Sequence, residues 1–228
     1  GLMRSSQKFL FTSPCSFESQ EVMSLGSEFR ERLGVVSSSG GFEGLPERRP
    51  VADERIAVGY IGSLNFAKLH PRYVDFLSAV KIPEFRVRII GDLLNQDVLN
   101  QQCDSLGKTG MLEFRGYVSN VASELSSINV LAYLLNPEHY GTTENALLEA
   151  MATGIVPIVL DNPAERQIIK DHTTGLIVHS PGEFAEAIEW LSNNPAERQK
   201  MGNQAAKSVR ERFSAEKMEA SLNQHYQE

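Results

Sequence analysis

The chain has 228 residues, 41% of them hydrophobic and 22% charged, which is enough to bury the core of one large domain. Its net charge of −7 argues against a nucleic-acid-binding surface, because such a surface needs a concentrated basic patch. Cys15 and Cys103 form no CxxC pair and no zinc-ligand spacing with the histidines, so we expect two reduced, buried thiols. No apolar run approaches the roughly 18 residues that span a bilayer, and no signal peptide is evident.

The first fifty residues differ in pattern from the rest of the chain. Residues 9–11 are apolar enough to predict a short strand, and residues 16–33 predict one helix with Ser16 at its amino cap. Residues 35–50 are rich in Ser, Gly and Pro, which predicts turns and a linker. The pattern therefore separates residues 1–50 from the rest of the chain.

From residue 56 onward, short apolar runs alternate with helical stretches. Each run is apolar on both faces, as a strand of a parallel sheet covered on both sides must be. This alternation predicts an α/β fold with a doubly wound, mainly parallel six-stranded sheet. The six runs are residues 56–61, 87–90, 112–114, 130–134, 155–160 and 176–178.

Three helix starts combine a polar cap residue, a proline and a glutamate that can close a capping box. They begin at Asn162, Ser180 and Asn194. Glu165 belongs to the first, and we interpret it as a capping residue rather than a catalyst. The last two helices, over residues 196–212 and 215–227, are amphipathic, and the final one is polar enough to cover another surface.

The loops after the strands are the candidate site, because ligands of a parallel sheet bind beyond the carboxyl ends of its strands. The loop after the first of the six strands carries Gly62 and, six residues later, Lys68. A glycine lets a phosphate approach the backbone closely, and a lysine supplies a point charge. The signal is weak alone, since GxGxxG is absent and a lysine at a strand end is usually solvated.

The loop after the fourth strand, residues 136–145, opens directly into a helix. The free backbone N–H groups and positive dipole at such a helix start form an anion site. Glu149 lies about one turn into the helix, where its carboxylate can accept hydrogen bonds from the two vicinal hydroxyls of a ribose. The alternative is that Thr142 or Thr143 merely caps the helix and that Glu149 is solvated.

Residues 145–165, NALLEAMATGIVPIVLDNPAE, resemble the hallmark of the retaining glycosyltransferase family four. The usual form of that hallmark is a glutamate, seven residues and then EAMAxGxPVV, a strand and a loop. Upstream, VGYIGSLNFAKLHP resembles the family's vGRLxxxKG turn, and RIIGD, EFRGYV and TTGLIV fit the corresponding family segments. The ordered match covers residues 56 to about 213.

The resemblance implies the Rossmann-like, donor-binding half of a GT-B fold with extra C-terminal helices. Residues 1–50 would be a remnant of the N-terminal domain and the interdomain crossover, and residues 51–195 the nucleotide-sugar-binding domain. Residues 196–228 would be C-terminal helices that pack towards the N-terminal domain. The implied reaction moves a sugar with retention from a nucleoside diphosphate sugar to a glycan, lipid or small-molecule acceptor. We expect this fragment alone to be inactive, because most of the acceptor-binding domain would be missing.

The family's functional residues fall on matching positions of this chain. The catalytic candidates are Lys68, which would bind the donor diphosphate, and Glu149, which would hold the donor ribose. Further donor-binding positions would border the base or bind the diphosphate, mainly through their main chain. They are Gly62, Ser63, Arg115, Gly116, Tyr117, Gly141, Thr142, Thr143, Glu144 and Asn145. No cofactor and no metal are implied, because such retaining enzymes are generally metal-independent and the sequence holds no Asp-x-Asp motif.

Two positions depart from the family pattern. Ser63 stands where an arginine usually partners the lysine, and Gly141 stands where a glutamate usually touches the transferred sugar. Glu138, His139 or Glu144 could substitute for that glutamate.

These departures keep two alternatives to an active enzyme open. One is a catalytically degenerate module that holds a nucleotide sugar without transferring it, and the other is a nucleotide-sugar epimerase of the same fold. As partners we expect the nucleotide-sugar donor and the acceptor-binding N-terminal domain of the full-length protein, and no nucleic acid. The parent would act in the cytoplasm, in a polysaccharide or cell-surface glycan pathway, with peripheral contact at the inner membrane face left open.

Overall fold

The computed structural model of the chain describes residues 8–37, 41–46, 55–139 and 144–226. Its first elements form a small unit at the amino end. They are strand β1 (Phe9–Phe11), helices α1 (Pro14–Phe17), α2 (Gln20–Met23) and α3 (Ser27–Arg30), strand β2 (Leu33–Val35) and a 3₁₀ turn (Phe42–Gly44). β1 and β2 pair in parallel, so the strand predicted over residues 9–11 is confirmed.

The single helix predicted over residues 16–33 is wrong. The side chains of Ser13 and Ser19 each accept a backbone N–H and start α1 and α2, and Gly26 occupies the cap position before α3. Serine and glycine favour helix starts over helix interiors, so the chain breaks into three single turns. The linker predicted from residue 35 begins only after β2.

The larger sheet contains six parallel strands in the order β5-β4-β3-β6-β7-β8. The strands are β3 (Val58–Ile61), β4 (Val87–Ile90), β5 (Leu112–Gly116), β6 (Val130–Tyr133), β7 (Val156–Leu160) and β8 (Leu176–Val178). The helices are α4 (Tyr73–Ser78), α5 (Gln96–Ser105), α6 (Val121–Ser126), α7 (Asn145–Ala152), α8 (Pro163–Ile168), α9 (Pro181–Asn193), α10 (Pro195–Arg212) and α11 (Ala215–Tyr226). Every residue of β3, β6 and β7 is buried, as helices on both faces require. The predicted doubly wound fold is confirmed, and both cysteines are free, with Cys103 buried and Cys15 only half-buried.

The three predicted helix starts are all present, but only one is capped as expected. Ser180 Oγ accepts the backbone N–H of Glu183 at 3.2 Å. Asn162 and Asn194 precede α8 and α10 without capping them through their side chains, and their amide nitrogens donate to the carbonyls of Leu135 and Trp190. The capping box predicted for Glu165 does not form, because the backbone N–H of Asn162 donates to the carbonyl of Leu160 at 2.8 Å; the fully buried Glu165 carboxylate instead accepts the side-chain amide of Asn162 at 3.4 Å.

The two C-terminal helices make different contacts. α10 packs against α7 and β7, where Gly202 lies so close to the backbone of Gly154 that no side chain fits between them. α11 reaches the amino-terminal unit, where His225 lies against Gly34 of β2. Arg210 of α10 also donates hydrogen bonds to the backbone carbonyls of Phe42, Leu45 and Ala152, at 3.0 to 3.1 Å. The domain boundaries proposed at residues 50 and 195 stay a prediction.

Candidate functional site

The candidate site lies where the strand order reverses, between the neighbouring strands β3 and β6. Ligands of open α/β sheets bind in the crevice at such a switch point. The loops after the two strands are joined by hydrogen bonds. Asn136 donates its backbone N–H to the carbonyl of Lys68 at 2.7 Å and its side-chain amide to that of Phe66 at 2.9 Å, and His70 donates to Leu134 at 3.0 Å. The two loops therefore form one firmly held edge.

Three glycines end the strands β3, β4 and β5 at this edge. Gly62, Gly91 and Gly116 have φ angles of +148°, +147° and +69°, which side chains rarely adopt. Gly91 donates its N–H to Gly116 at 3.1 Å and lies directly against the carbonyl of Gly62. The structure thus brings the predicted Gly62 and Gly116 together through Gly91, which the sequence prediction did not include.

Asp92 organises the loop after β3 and was also missed. Its carboxylate accepts the backbone N–H of Leu64 at 3.2 Å and of Leu94 at 3.0 Å. Burial would raise the pKa of Asp92, but the bonds from the Ser63 hydroxyl and these two amides outweigh burial and lower the pKa. Ser63 therefore helps to fix the turn and supplies no charge. The sequence signal is an aspartate that directly follows the strand-ending Gly91.

Lys68 is paired with a buried carboxylate. Its Nζ lies 3.0 Å from Oε2 of Glu144, whose side chain is fully buried, while that of Lys68 is 23% exposed. The Tyr133 hydroxyl donates to the same oxygen at 2.6 Å. Burial would raise the pKa of Glu144, but contact with His139 and the charge of Lys68 outweigh it, so the pKa is lowered and the carboxylate stays ionised.

His139 connects this pair to a second buried carboxylate. Its Nε2 lies 3.5 Å from Glu144 and 3.7 Å from Glu165, and its Nδ1 lies 2.6 Å from the carbonyl of Asn136. Burial would lower the pKa of His139, but the contact with Glu144 and the charge of Glu165 raise it. Burial raises the pKa of Glu165. Within the described part of the chain, His139 Nε2 and one oxygen of each glutamate lack hydrogen-bond partners.

The remaining predicted residues lie around this cluster or along the same edge. Glu149 lies on α7, one turn after Glu144, and is half-buried, which raises its pKa. The guanidinium of Arg115 pairs with Glu124 at 3.4 Å, and Tyr117 is 87% exposed. Asn145 is the first residue of α7. Gly141, Thr142 and Thr143 lie outside the described residues.

A cleft of about 720 Å³ separates this edge from the amino-terminal unit. Phe11, Cys15 and Glu21 line one side, and Glu138 and His139 line the other. The cleft therefore opens at His139, whose Nε2 lies 3.5 Å from Glu144.

The comparisons with known proteins agree with this geometry. A family model described as Glycosyl transferases group 1 matches residues 43–208, which is most of the chain. The chain belongs to this family. The resemblance found in the sequence is thereby confirmed, and the chain is a GT-B glycosyltransferase domain.

Individual relatives are distant. The EpsD protein of Bacillus subtilis (strain 168), whose name assigns it provisionally to the glycosyltransferases, is 24% identical over 169 residues. That match covers 72% of this chain and 44% of EpsD, so the chain spans less than half of this relative.

The fold recurs in solved structures. Anabaena HepE in complex with UDP and glucose has a TM-score of 0.83 at 17% identity, over 98% of this chain and 64% of HepE. A mutant of S. aureus TarM, in complex with fondaparinux, alpha-GlcNAc-glycerol and UDP, has a TM-score of 0.83 at 15% identity, over 99% of this chain and 45% of TarM. At these identities the likeness establishes the fold alone.

Membrane-spanning helices and metal clusters are both absent from the described ranges. None of the helices there is long and apolar enough to cross a membrane. Across the same residues, no group of three or more His, Cys, Asp and Glu side chains could hold a metal ion. Metal independence stays a prediction.

Proposed function

We propose that the chain is the donor-binding half of a retaining glycosyltransferase, which holds a nucleoside diphosphate sugar at the edge between β3 and β6. One observation carries the proposal: the ammonium of Lys68 is fixed at the switch point, 3.0 Å from the residue that precedes α7. A cation and the amino end of a helix then converge on one place, which suits a diphosphate.

The proposed roles follow from the charge that develops during transfer. The diphosphate leaving group gains negative charge in the transition state, and Lys68 with the backbone amides at the start of α7 would stabilise it without a metal. Glu149, one turn further along α7, would accept hydrogen bonds from the ribose hydroxyls. We assign no protein base, because the departing phosphate of the donor would assist the acceptor on the same face of the sugar.

The other positions would complete the donor site through the main chain. Gly62 and Ser63 would pass beneath the diphosphate, and residues 115–117 would border the base. Gly141, Thr142 and Thr143 remain proposed ligands by resemblance. HepE and TarM are described in complex with UDP, so uracil is the first base to test.

A degenerate binding module is the second candidate. The observation that favours it concerns Ser63, whose hydroxyl bonds to Asp92 and accepts the backbone N–H of Asn65. Ser63 therefore brings no second positive charge to the diphosphate. The family match favours a transferase over an epimerase. Assay of the full-length protein for sugar transfer separates the enzyme from the module. For the chain itself we expect nucleotide binding without turnover, because it spans only 44% of EpsD and 64% of HepE.

Calorimetry on the chain with UDP, GDP and ADP tests donor binding directly. Replacing Glu149 by Ala should weaken UDP about tenfold, because two ribose hydroxyls lose their acceptor. The same change should leave 2′,3′-dideoxy-UDP unaffected, since that ligand lacks both hydroxyls. Glu186→Ala, an exposed glutamate of α9, is the matched control. Equal losses for both ligands, or no loss for UDP, would refute the ribose role.

A further inference from the structure

The side chain of Glu144 does not make the hydrogen bond that is usual for a residue at its position in the chain. Glu144 is the cap residue of α7, and a side chain there usually accepts an N–H of the first helical turn. Among the described residues its side chain accepts no such bond. One oxygen instead takes the Tyr133 hydroxyl at 2.6 Å and the Lys68 ammonium at 3.0 Å.

A fully buried carboxylate requires compensation, because removal of its charge from water is costly unless it is paired. Lys68 and Tyr133 provide that compensation on Oε2, and His139 lies 3.5 Å from Oε1. The chain therefore keeps a negative charge at a place where a diphosphate would be repelled. A purely structural role would be met as well by an apolar residue, so the charge itself needs an explanation.

The explanation lies in what the charge does to Lys68. A free lysine side chain samples many rotamers and loses that freedom when it binds a ligand. The bond to Glu144 fixes the ammonium in advance, and an ammonium has three N–H donors, so donors remain for an anion. Ser63, at the position where the family has an arginine, brings no charge that would compensate for a misplaced lysine.

We infer that Glu144 is a positioning residue for the donor diphosphate, which acts by holding the Lys68 ammonium at the switch point. This inference rests on the proposed donor-binding function. Fixing a group before binding raises affinity by removing the ordering cost from the binding step. Glu144 acts only through Lys68, so its contribution should be specific to ligands that reach Lys68.

Calorimetry with UDP and UMP separates positioning from a general structural effect. Glu144→Gln keeps the volume and a hydrogen-bond acceptor for Tyr133 but removes the charge that holds Lys68. We expect UDP affinity to fall about tenfold and UMP affinity to change less than twofold, because UMP lacks the second phosphate. Lys68→Met should weaken UDP at least as much, and the double variant should bind UDP no more weakly than Lys68→Met alone.

Glu113→Gln is the control, since Glu113 is an ion-paired carboxylate of β5, 3.3 Å from Arg86, that lies outside the cluster of Lys68, Glu144, His139 and Glu165. Its UDP affinity should equal that of the wild type. If Glu144→Gln fails to fold, Tyr133→Phe removes only the hydroxyl that shares Oε2 and should weaken UDP two- to threefold while sparing UMP.

The outcomes distinguish the two proposals. UDP affinity that is unchanged or tighter in Glu144→Gln, parallel losses of UDP and UMP, an equal loss in Glu113→Gln, or additive losses in the double variant would each overturn the positioning role. Donor binding would survive all four results. A wild-type chain that binds neither UDP, GDP nor ADP would overturn both proposals.

Discussion

Replacing Gly91 by Ala should damage the donor edge of the sheet. A Cβ built on Gly91 would lie well under 3.0 Å from the carbonyl oxygen of Gly62, and its φ of +147° is one that side chains rarely adopt. The backbone strain costs about 1–3 kcal/mol. Forcing the ends of β3 and β4 apart adds about 1–3 kcal/mol, as overpacking does. We expect a loss of about 2–6 kcal/mol from a total unfolding free energy of about 5–15 kcal/mol.

Urea unfolding of Gly110→Ala provides the matched control. Gly110 also has a positive φ, of +76°, but no described atom lies within 4 Å of its added Cβ, so only the backbone strain of about 1–2 kcal/mol applies. Gly91→Ala should therefore lose about 2 kcal/mol more than the control and should also bind UDP more weakly. Equal unfolding free energies together with unchanged UDP affinity would refute the close-approach reasoning.

Three further changes test the fold and its charges. Arg210→Ala removes three hydrogen bonds to backbone carbonyls and should lower the free energy of urea unfolding by about 3 kcal/mol, after allowance for partial exposure. A loss under about 1 kcal/mol would show that these bonds do not hold the segment in place. Gly202→Ala should lower the melting temperature, because the overlap with Gly154 outweighs a gain of about 1 kcal/mol in helix propensity; a higher melting temperature would contradict this. The lowered pKa of Glu144 stabilises the fold at pH values above 4.5, the ordinary pKa, and this stability is lost as the pH falls through the lowered pKa. The raised pKa of His139 stabilises the fold at pH values below 6.5, and this stability is lost as the pH rises through the raised pKa. The unfolding free energy, measured from about pH 3 to about pH 9, should therefore decrease towards both ends of that range, and a flat profile would exclude these shifts.

The sheet could be predicted from the sequence because its strands are buried on both faces. All five residues of β7 are buried, so the strand appears in the sequence as a continuous apolar run that can be recognised without knowledge of distant contacts. The helix predicted over residues 16–33 failed because local capping by Ser13 and Ser19 overrides the apolar spacing. Asn162 and Asn194 make no side-chain cap bond, and the amide of Asn162 donates to Leu135, 27 residues earlier, a contact that the local sequence does not encode.

The site could be predicted only in part. Lys68 and Glu149 could be predicted because ligands of a parallel sheet bind beyond the carboxyl ends of its strands and because the family motif matches there, but the buried cluster around Lys68 could not. Lys68, the loop with His139 and Glu144, and Glu165 come from three places along the chain and meet only after the sheet is assembled. No periodicity or spacing records such a meeting. The role of Asp92 is likewise set by a turn that forms when β3 and β4 align.

A crystal structure of the chain soaked with UDP tests the donor site most directly. We predict the diphosphate within hydrogen-bonding distance, about 2.7–3.2 Å, of Lys68 Nζ, with the ribose hydroxyls at Glu149 and the base beside residues 115–117. Density for UDP elsewhere, for example in the groove of about 410 Å³ beside His172 and Trp190, with Lys68 still bound only to Glu144, would contradict the proposed function.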